Sequence, residues 1–332
     1  MPTITGGRFV VAGGASQLGS HIGEQLLAAG AREVVLLDNL SLGSTHNIDF
    51  LLSDTRCSFV RGDVLRLNEL YDPFATVDGV FLVAGFLGVP LSANPWMGID
   101  VNVRGAHNVL EACRYQGVRK VIFSSTIGVY GAVGDEPNSE DSPLRWQDSS
   151  PPVILYCASK IMGEGLGRLY QQRHGIDFVA LRYAAVYGER MHTRGIVATR
   201  ILEAHRRIRS GQRPRIDGDG TSVDDYIYVG DVARANLMAM ESSASGDGMN
   251  IVSGEDTSER RIVELVVEAC ESDLEPEYYD DPTKIKVAPA TKRGYSRERA
   301  KRLIGWEPRV SLDEGVRRVV AWLDRERATK AL

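Results

Sequence analysis

Arg8-Phe9-Val10-Val11-Ala12-Gly13-Gly14-Ala15-Ser16-Gln17-Leu18-Gly19 decides the fold of this 332-residue chain. Residues 8–12 are apolar and β-branched after the arginine, which predicts a buried strand. Small residues follow, so the backbone can turn tightly. Apolar spacing over 21–29 then predicts a helix that ends at Gly30. A strand, a small-residue turn and a helix in this order let backbone approach a pyrophosphate at the helix N-terminus. Gly13, Ser16, Gln17, Leu18 and Gly19 are the candidate contacts. The next strand, 33–37, runs into Asp38. A carboxylate there accepts hydrogen bonds from the adenosine ribose hydroxyls and repels a 2′-phosphate. Asn39 stands beside it where a basic residue would favour that phosphate. The cofactor expected is NAD.

Further along, short apolar runs alternate with amphipathic stretches. Strands are expected over 58–61, 79–83, 120–124 and 177–182. Helices are expected over 67–71, 101–116 and 156–174. This alternation predicts an α/β fold of the Rossmann type, a doubly wound parallel sheet covered on both faces. Such sheets bind ligands beyond the carboxyl ends of their strands. Asp63 and Val64 follow the third strand, where Asp63 suits either an adenine amino group or an Asx turn. Ala84 and Gly85 follow the fourth, where a ring needs small neighbours. Asn102 suits either a polar cofactor contact or a buried tie between helix and strand. Thr126 follows the fifth strand and brings a hydroxyl to that edge.

The second half is less regular. Helices are expected over 195–210, 229–240, 258–272 and 312–327, with a turn at Gly218-Asp219-Gly220. The expected division is an NAD-binding domain over 1–184, to which some later segments return. Residues 185–332 then form mainly a smaller C-terminal α/β substrate lobe.

Tyr156-Cys157-Ala158-Ser159-Lys160 places a tyrosine and a lysine one helical turn apart on one face. A nearby ammonium favours phenolate, so Lys160 is expected to lower the Tyr156 pKa and make it a usable acid or base.

Bulk properties exclude several classes. The chain is 43% hydrophobic and 25% charged, with a formal charge of −5. Nothing in that balance favours nucleic acid or an anionic membrane. Apolar runs are shorter than the ~18 residues a membrane span needs. The four cysteines are widely spaced with no metal-ligand pattern, so no metal is expected and a reducing, cytoplasmic location fits. Arg8 opens a strand where a secretory leader would need a long apolar run. The expected partner is a small-molecule substrate.

These motifs together resemble the extended short-chain dehydrogenase/reductase family over nearly the whole chain. The carriers are the Ala12–Gly19 turn, Ser124-Ser125-Thr126 with Val129-Tyr130-Gly131, the Tyr156/Lys160 pair, and Leu181-Arg182-Tyr183-Ala184-Ala185-Val186-Tyr187-Gly188. Leu303-Ile304-Gly305-Trp306-Glu307-Pro308 with Leu312-Asp313-Glu314-Gly315 is similar to the family's C-terminal signature. Asp38-Asn39-Leu40-Ser41-Leu42-Gly43 is similar to the nucleotide-binding segment of UDP-galactose 4-epimerases.

The resemblance implies roles. Tyr156 is the general acid/base, Lys160 tunes it and holds the nicotinamide ribose, and Thr126 bonds the substrate oxygen. Hydride moves to or from the nicotinamide. Relatives that dehydrate or decarboxylate carry extra acids just after the threonine; here Ile127 and Gly128 cannot move a proton. Sugar-nucleotide 4-epimerisation through a transient keto intermediate is the first expectation. Net oxidation or reduction of a non-nucleotide alcohol or ketone is the second, and a non-catalytic NAD-binding regulator the third. A homodimer is expected through helices 101–116 and 156–174.

Three positions depart from the family pattern. Ser16 replaces the middle glycine of the turn. Ala185 and Asp224 stand where nucleotide-sugar members commonly place the Asn and Arg that hold a diphosphate. An aspartate would repel that group. Arg190, His192 and Arg194 are the candidate replacements, with Lys286, Lys292 and Arg293 behind them.

Overall fold

The computed structural model describes residues 1–131, 136–146, 149–191, 196–280 and 294–330. The first half alternates as its apolar patterning requires. It runs β1 (Arg8–Ala12), α1 (Gln17–Ala28), β2 (Glu33–Asp38), β3 (Cys57–Arg61), α2 (Tyr71–Phe74), β4 (Gly79–Leu82), α3 (Gly88–Ala93) and α4 (Pro95–Ile99). Next come α5 (Ala106–Gln116), β5 (Lys120–Thr126), α6 (Pro151–His174) and β6 (Asp177–Tyr183). The second half runs β7 (Ala185–Tyr187), α7 (Ile196–Ile208), β8 (Arg215–Asp217), β9 (Val223–Tyr228), α8 (Val229–Glu241) and β10 (Gly248–Ile251). It closes with β11 (Asp256–Ser258), α9 (Glu259–Ala269), β12 (Glu277–Tyr279), α10 (Glu298–Ile304) and α11 (Leu312–Lys330).

The main sheet has seven strands in the order β10-β6-β5-β4-β1-β2-β3. Every pairing in it is parallel. Its strands are apolar on both faces because helices cover both. One core layer packs Ile22 and Leu26 of α1 against Leu36 and Phe81 of the sheet. The other packs Val109, Leu110 and Cys113 of α5 against Val80, Leu82 and Val121. The strand order reverses between β1 and β4. That is the switch point where such a sheet opens a crevice at its carboxyl edge.

Several elements differ from their expected bounds. Helix α1 begins four residues before the apolar repeat does. Ser16 caps it, its hydroxyl accepting from the Gly19 amide at 3.1 Å, so a capped first turn precedes the apolar repeat. Helix α6 begins at Pro151, whose fixed φ suits a first helical position. Asp100–Gly105 is a π-turn leading into α5, so 101–116 is not uniformly α-helical. The 67–71 stretch is a short 3₁₀ turn, Leu67–Glu69, followed by α2. Helices α3 and α4 lie in a stretch for which no element was expected.

The second half returns to the main sheet with β10 and packs α8 beside α1. It also builds two small sheets, β11-β9-β7 and β12-β8. The C-terminal signature is a clasp on α8. Trp306 donates its indole N–H to the Asp231 carbonyl at 2.9 Å, and the Asp231 carboxylate accepts from the Arg309 and Val310 amides.

Candidate active site

The carboxyl edge at the switch point is a cleft. Its lining includes Gly13, Ser16, Asp38, Asn39, Val64, Ala84 and Gly85, all singled out from sequence. The turn after β1 is close-packed: a Cβ on Gly13 would stand 2.6 Å from the Ala84 amide nitrogen, and its φ is +90°. Only glycine holds that position without displacing the end of β4. Gln17, Leu18 and Gly19 form the first turn of α1 and are not among the residues lining the cleft. Gln17 instead donates to the Gly188 carbonyl at 3.1 Å. Ser16 also donates to the Gly13 carbonyl at 2.6 Å, so it braces the turn that a glycine would leave free.

Asp38 is held by backbone. One carboxylate oxygen accepts from the Ala15 amide at 3.0 Å and the other from the Leu40 amide at 2.8 Å. Burial raises its pKa, opposed by these two hydrogen bonds. The carboxylate is thus oriented before any ligand arrives. Ser41, Leu42, Gly43 and Phe86 also line the cleft. The first three lie in the segment whose likeness to a nucleotide-binding stretch was legible. Phe86 had no signal beyond following Gly85.

Two candidates resolve into structural ties. Asp63 accepts from the Leu65 amide at 2.9 Å, an Asx turn. Asn102, buried in the π-turn, accepts from the Phe86 amide at 2.7 Å and donates to the Phe86 carbonyl and to Ser159 Oγ, each at 3.0 Å. Of its two readings the helix–strand tie is the observed one, and it shapes the cleft wall from behind.

At the other end of the cleft, Thr126, Tyr156 and Lys160 converge. Lys160 is buried and donates from Nζ to the Ser124 carbonyl at 3.0 Å. Nζ lies 6.0 Å from the Tyr156 ring centroid and 5.3 Å from that of Phe123. A Cβ on Gly85 would sit 3.1 Å from Lys160 Nζ, so the β4 end runs directly past the lysine. The Thr126 hydroxyl accepts from the Gly128 amide at 3.1 Å and lies close enough to the Tyr156 phenol to favour its ionised form.

The electrostatics correct one expectation. Tyr156 keeps partial surface exposure, yet dense surroundings push its phenol above the ordinary value; the Thr126 hydroxyl opposes this. Burial pulls Lys160 down to about 8. Desolvation therefore governs the phenol, and Thr126 rather than Lys160 is the group that opposes it. Cys157, beside the tyrosine, is buried and pushed up to about 11 by that burial. It is a packing residue, not an activated thiol.

The substrate-side candidates fare differently. Tyr183 pairs in register with Thr126, so Ala185 leaves the main sheet beside the strand end that carries Thr126. Arg190 does not face that edge. It donates to Glu24 of α1 at 2.5 Å and stacks on Phe50, because a carboxylate on the neighbouring helix claims its charge. Asp224 is not a bare anion: Arg200 of α7 donates to it at 2.9 Å and also pairs with Glu259 at 2.9 Å. Arg200 carried no sequence signal, since only β9 and α9 folding against α7 bring the three together. His192, Arg194, Lys286, Lys292 and Arg293 lie outside the described residues. Among the described residues no His/Cys/Asp/Glu group could hold a metal ion, and no helix is long and apolar enough to cross a membrane.

The residues present fit a dinucleotide. Glycines bring the β1 turn and the β4 end together, Asp38 is pre-oriented, and the cleft runs from Asp38 to Gly85 beside Lys160.

Comparison with known proteins agrees with this arrangement. A model of the NAD dependent epimerase/dehydratase family matches residues 9–252. The chain is 33% identical to a putative UDP-glucose 4-epimerase of Methanocaldococcus jannaschii, over 97% of this chain and 100% of that one. It is similar to the structure of a UDP-glucose 4-epimerase from Thermotoga maritima with UDP-glucose, at TM-score 0.85 and 31% identity, covering 96% of this chain and 99% of that one. A UDP-glucose 4-epimerase from Thermus thermophilus in complex with NAD matches at TM-score 0.81 and 32% identity, covering 96% and 99%.

Proposed function

The chain belongs to the NAD dependent epimerase/dehydratase family, and on that premise we propose that it epimerises a sugar nucleotide at C4. It is an NAD-dependent enzyme of the extended short-chain dehydrogenase/reductase type. The observation that carries the reading is the meeting of Thr126, Tyr156 and Lys160 at the end of the cleft, with Ile127 and Gly128 beside them.

Asp38, the Gly13–Gly19 turn and Gly85 would hold NAD, with Lys160 at the nicotinamide end. When bound, NAD supplies a hydride acceptor and donor. Tyr156 takes a proton from the C4 hydroxyl and returns it to the same oxygen after the keto sugar has turned. Thr126 holds that oxygen. Ile127 and Gly128 offer no second proton carrier, so elimination or decarboxylation has no acid to serve it. Asp224, paired with Arg200, is a weaker objection to a diphosphate than its sequence position suggested.

Related proteins are named UDP-glucose 4-epimerases, so UDP-sugars are the substrate class of choice. The lack of a donor at Ala185 favours a second reading, net redox on a non-nucleotide alcohol. One experiment separates them. NAD-loaded protein is incubated with UDP-glucose, UDP-N-acetylglucosamine or UDP-glucuronic acid, and C4 configuration is followed by NMR. Interconversion without net NADH supports the epimerase. Failure with all three, and no thermal shift with UDP or dTDP, would sink it.

We take 1–184 as the cofactor-binding part and 185–332 as mainly the substrate lobe. A homodimer is proposed through α5 and α6. Exposed Ile99, Met162 and Leu169 surround an apolar groove between these helices, a face suited to a second copy. A cytoplasmic location suits four cysteines that are all free.

A further inference from the structure

We infer that Ser125 and Glu164 are positioning residues: they fasten α6 to the end of β5 and thereby set the Thr126–Tyr156 geometry. The inference rests on the epimerase reading for its kinetics but not for its structural test.

Glu164 follows Lys160 by one helical turn, on the same face of α6. Its Oε1 accepts from Ser125 Oγ at 2.7 Å and from Arg182 Nε at 2.9 Å. Its Oε2 accepts from Arg182 Nη2 at 2.7 Å. Arg182 lies opposite Ser125 in the β5–β6 register. Its Nη1 donates to the Tyr130 hydroxyl at 2.8 Å, which donates in turn to Asn250 at 2.7 Å. Ser125, Glu164, Arg182 and Tyr130 are all buried.

Thr126 is bracketed by this network. Ser125 precedes it, and Tyr130 closes the 3₁₀ turn Ile127–Tyr130 that Thr126 caps. Helix α6 is therefore tied to β5 at two successive residues, by Lys160 to Ser124 and by Glu164 to Ser125. A buried ion pair is a poor source of net stability compared with apolar packing of the same volume. Its bidentate geometry does fix orientation. Tyr156 sits two turns back on the same helix, so a slip of α6 against β5 moves the phenol relative to the Thr126 hydroxyl. A displacement near ~1 Å at reacting groups can cost about a hundredfold in rate.

Ser125→Ala is the clean test, since it removes one tie and leaves the Glu164–Arg182 pair intact. In the NAD-loaded enzyme kcat should fall between about tenfold and a hundredfold, with KM and NAD affinity within about twofold of the parent. Ser125→Thr, which restores a hydroxyl, should recover most of the loss. Unchanged kcat in Ser125→Ala would overturn the proposal. If the parent turns over no UDP-sugar, the epimerase reading fails and a crystal structure of NAD-bound Ser125→Ala decides instead. A changed separation between the Thr126 and Tyr156 hydroxyls, relative to the NAD-bound parent, supports the positioning role; an unchanged separation overturns it.

Discussion

Lys160 donates to the carbonyl of Ser124, two residues before Thr126. One bond thus ties the helix that carries Tyr156 to the strand that carries Thr126. It also leaves a largely desolvated ammonium, which is the source of the lowered Lys160 pKa of about 8.

That desolvation has a stability consequence with a definite sign. Between about 8 and the ordinary lysine value of 10.5 the unfolded chain binds the Lys160 proton and the folded apoprotein does not. Stability therefore rises with pH through this window, and the charged form is the less stable one below it. Lys160→Met should stabilise the apoprotein at pH 7 by up to roughly 3 kcal/mol. The difference from the parent should shrink as pH rises. Urea unfolding of both proteins across the window checks it; a pH-independent difference would refute the linkage.

Tyr156→Phe removes the proton carrier and leaves the ring. Turnover of a UDP-sugar should fall by about a hundredfold to ten-thousandfold, the usual contribution of a general acid/base. NAD affinity by calorimetry should stay near that of the parent. Retained turnover would remove Tyr156 from the chemistry.

Asp38→Asn replaces an oriented carboxylate with an amide that can satisfy only one of the Ala15 and Leu40 amides. NAD affinity should drop by at least about tenfold, the loss of a charge-assisted bond. Discrimination against NADP should narrow, because the repulsion of a 2′-phosphate is gone. Titration of the apoprotein with each dinucleotide gives both numbers.

Arg200→Ala strands two carboxylates, Asp224 and Glu259, that it now bridges at 2.9 Å each. Breaking such a largely buried cluster should cost about 3–5 kcal/mol. Adding Asp224→Asn should recover part of that. If denaturant unfolding shows the double variant no more stable than the single, the cluster is not held by charge.

Met162→Asp places a charge on the exposed apolar face of α6, where Met162 is 53% exposed in the single chain. Light scattering after size exclusion should show a monomer where the parent is a dimer, with the fold intact by circular dichroism. A parent that is already monomeric would end the dimer proposal.

How much was legible beforehand varies with the kind of residue. The β1 turn, Asp38 and the Tyr156/Lys160 pair act through local geometry: a tight turn, a strand end, one helical turn. Spacing along the chain is enough to find such features, and the family resemblance rested on the same short stretches. Helix starts were less legible at Ser16 and Pro151, because caps and first-turn prolines carry no apolar period. Asn102 and Asp63 each carried two readings, and spacing alone did not choose between cofactor contact and tie, since the partners at Phe86 and Leu65 are backbone groups that only the fold brings near.

The sequence by itself determined the α/β class, the order of the strands up to β6, the NAD-type turn and the identity of the convergent hydroxyl, phenol and ammonium. Each follows from periodicity or from side chains a few residues apart. Only the tertiary structure decided how charge is shared. It turned Arg190 towards Glu24, brought Arg200 to Asp224 from a different helix, and buried Lys160 and packed around the partly exposed Tyr156 so that desolvation governs both pKa values. Those outcomes depend on which distant segments pack together and on how much water they exclude, and neither is written in the spacing of one stretch of chain.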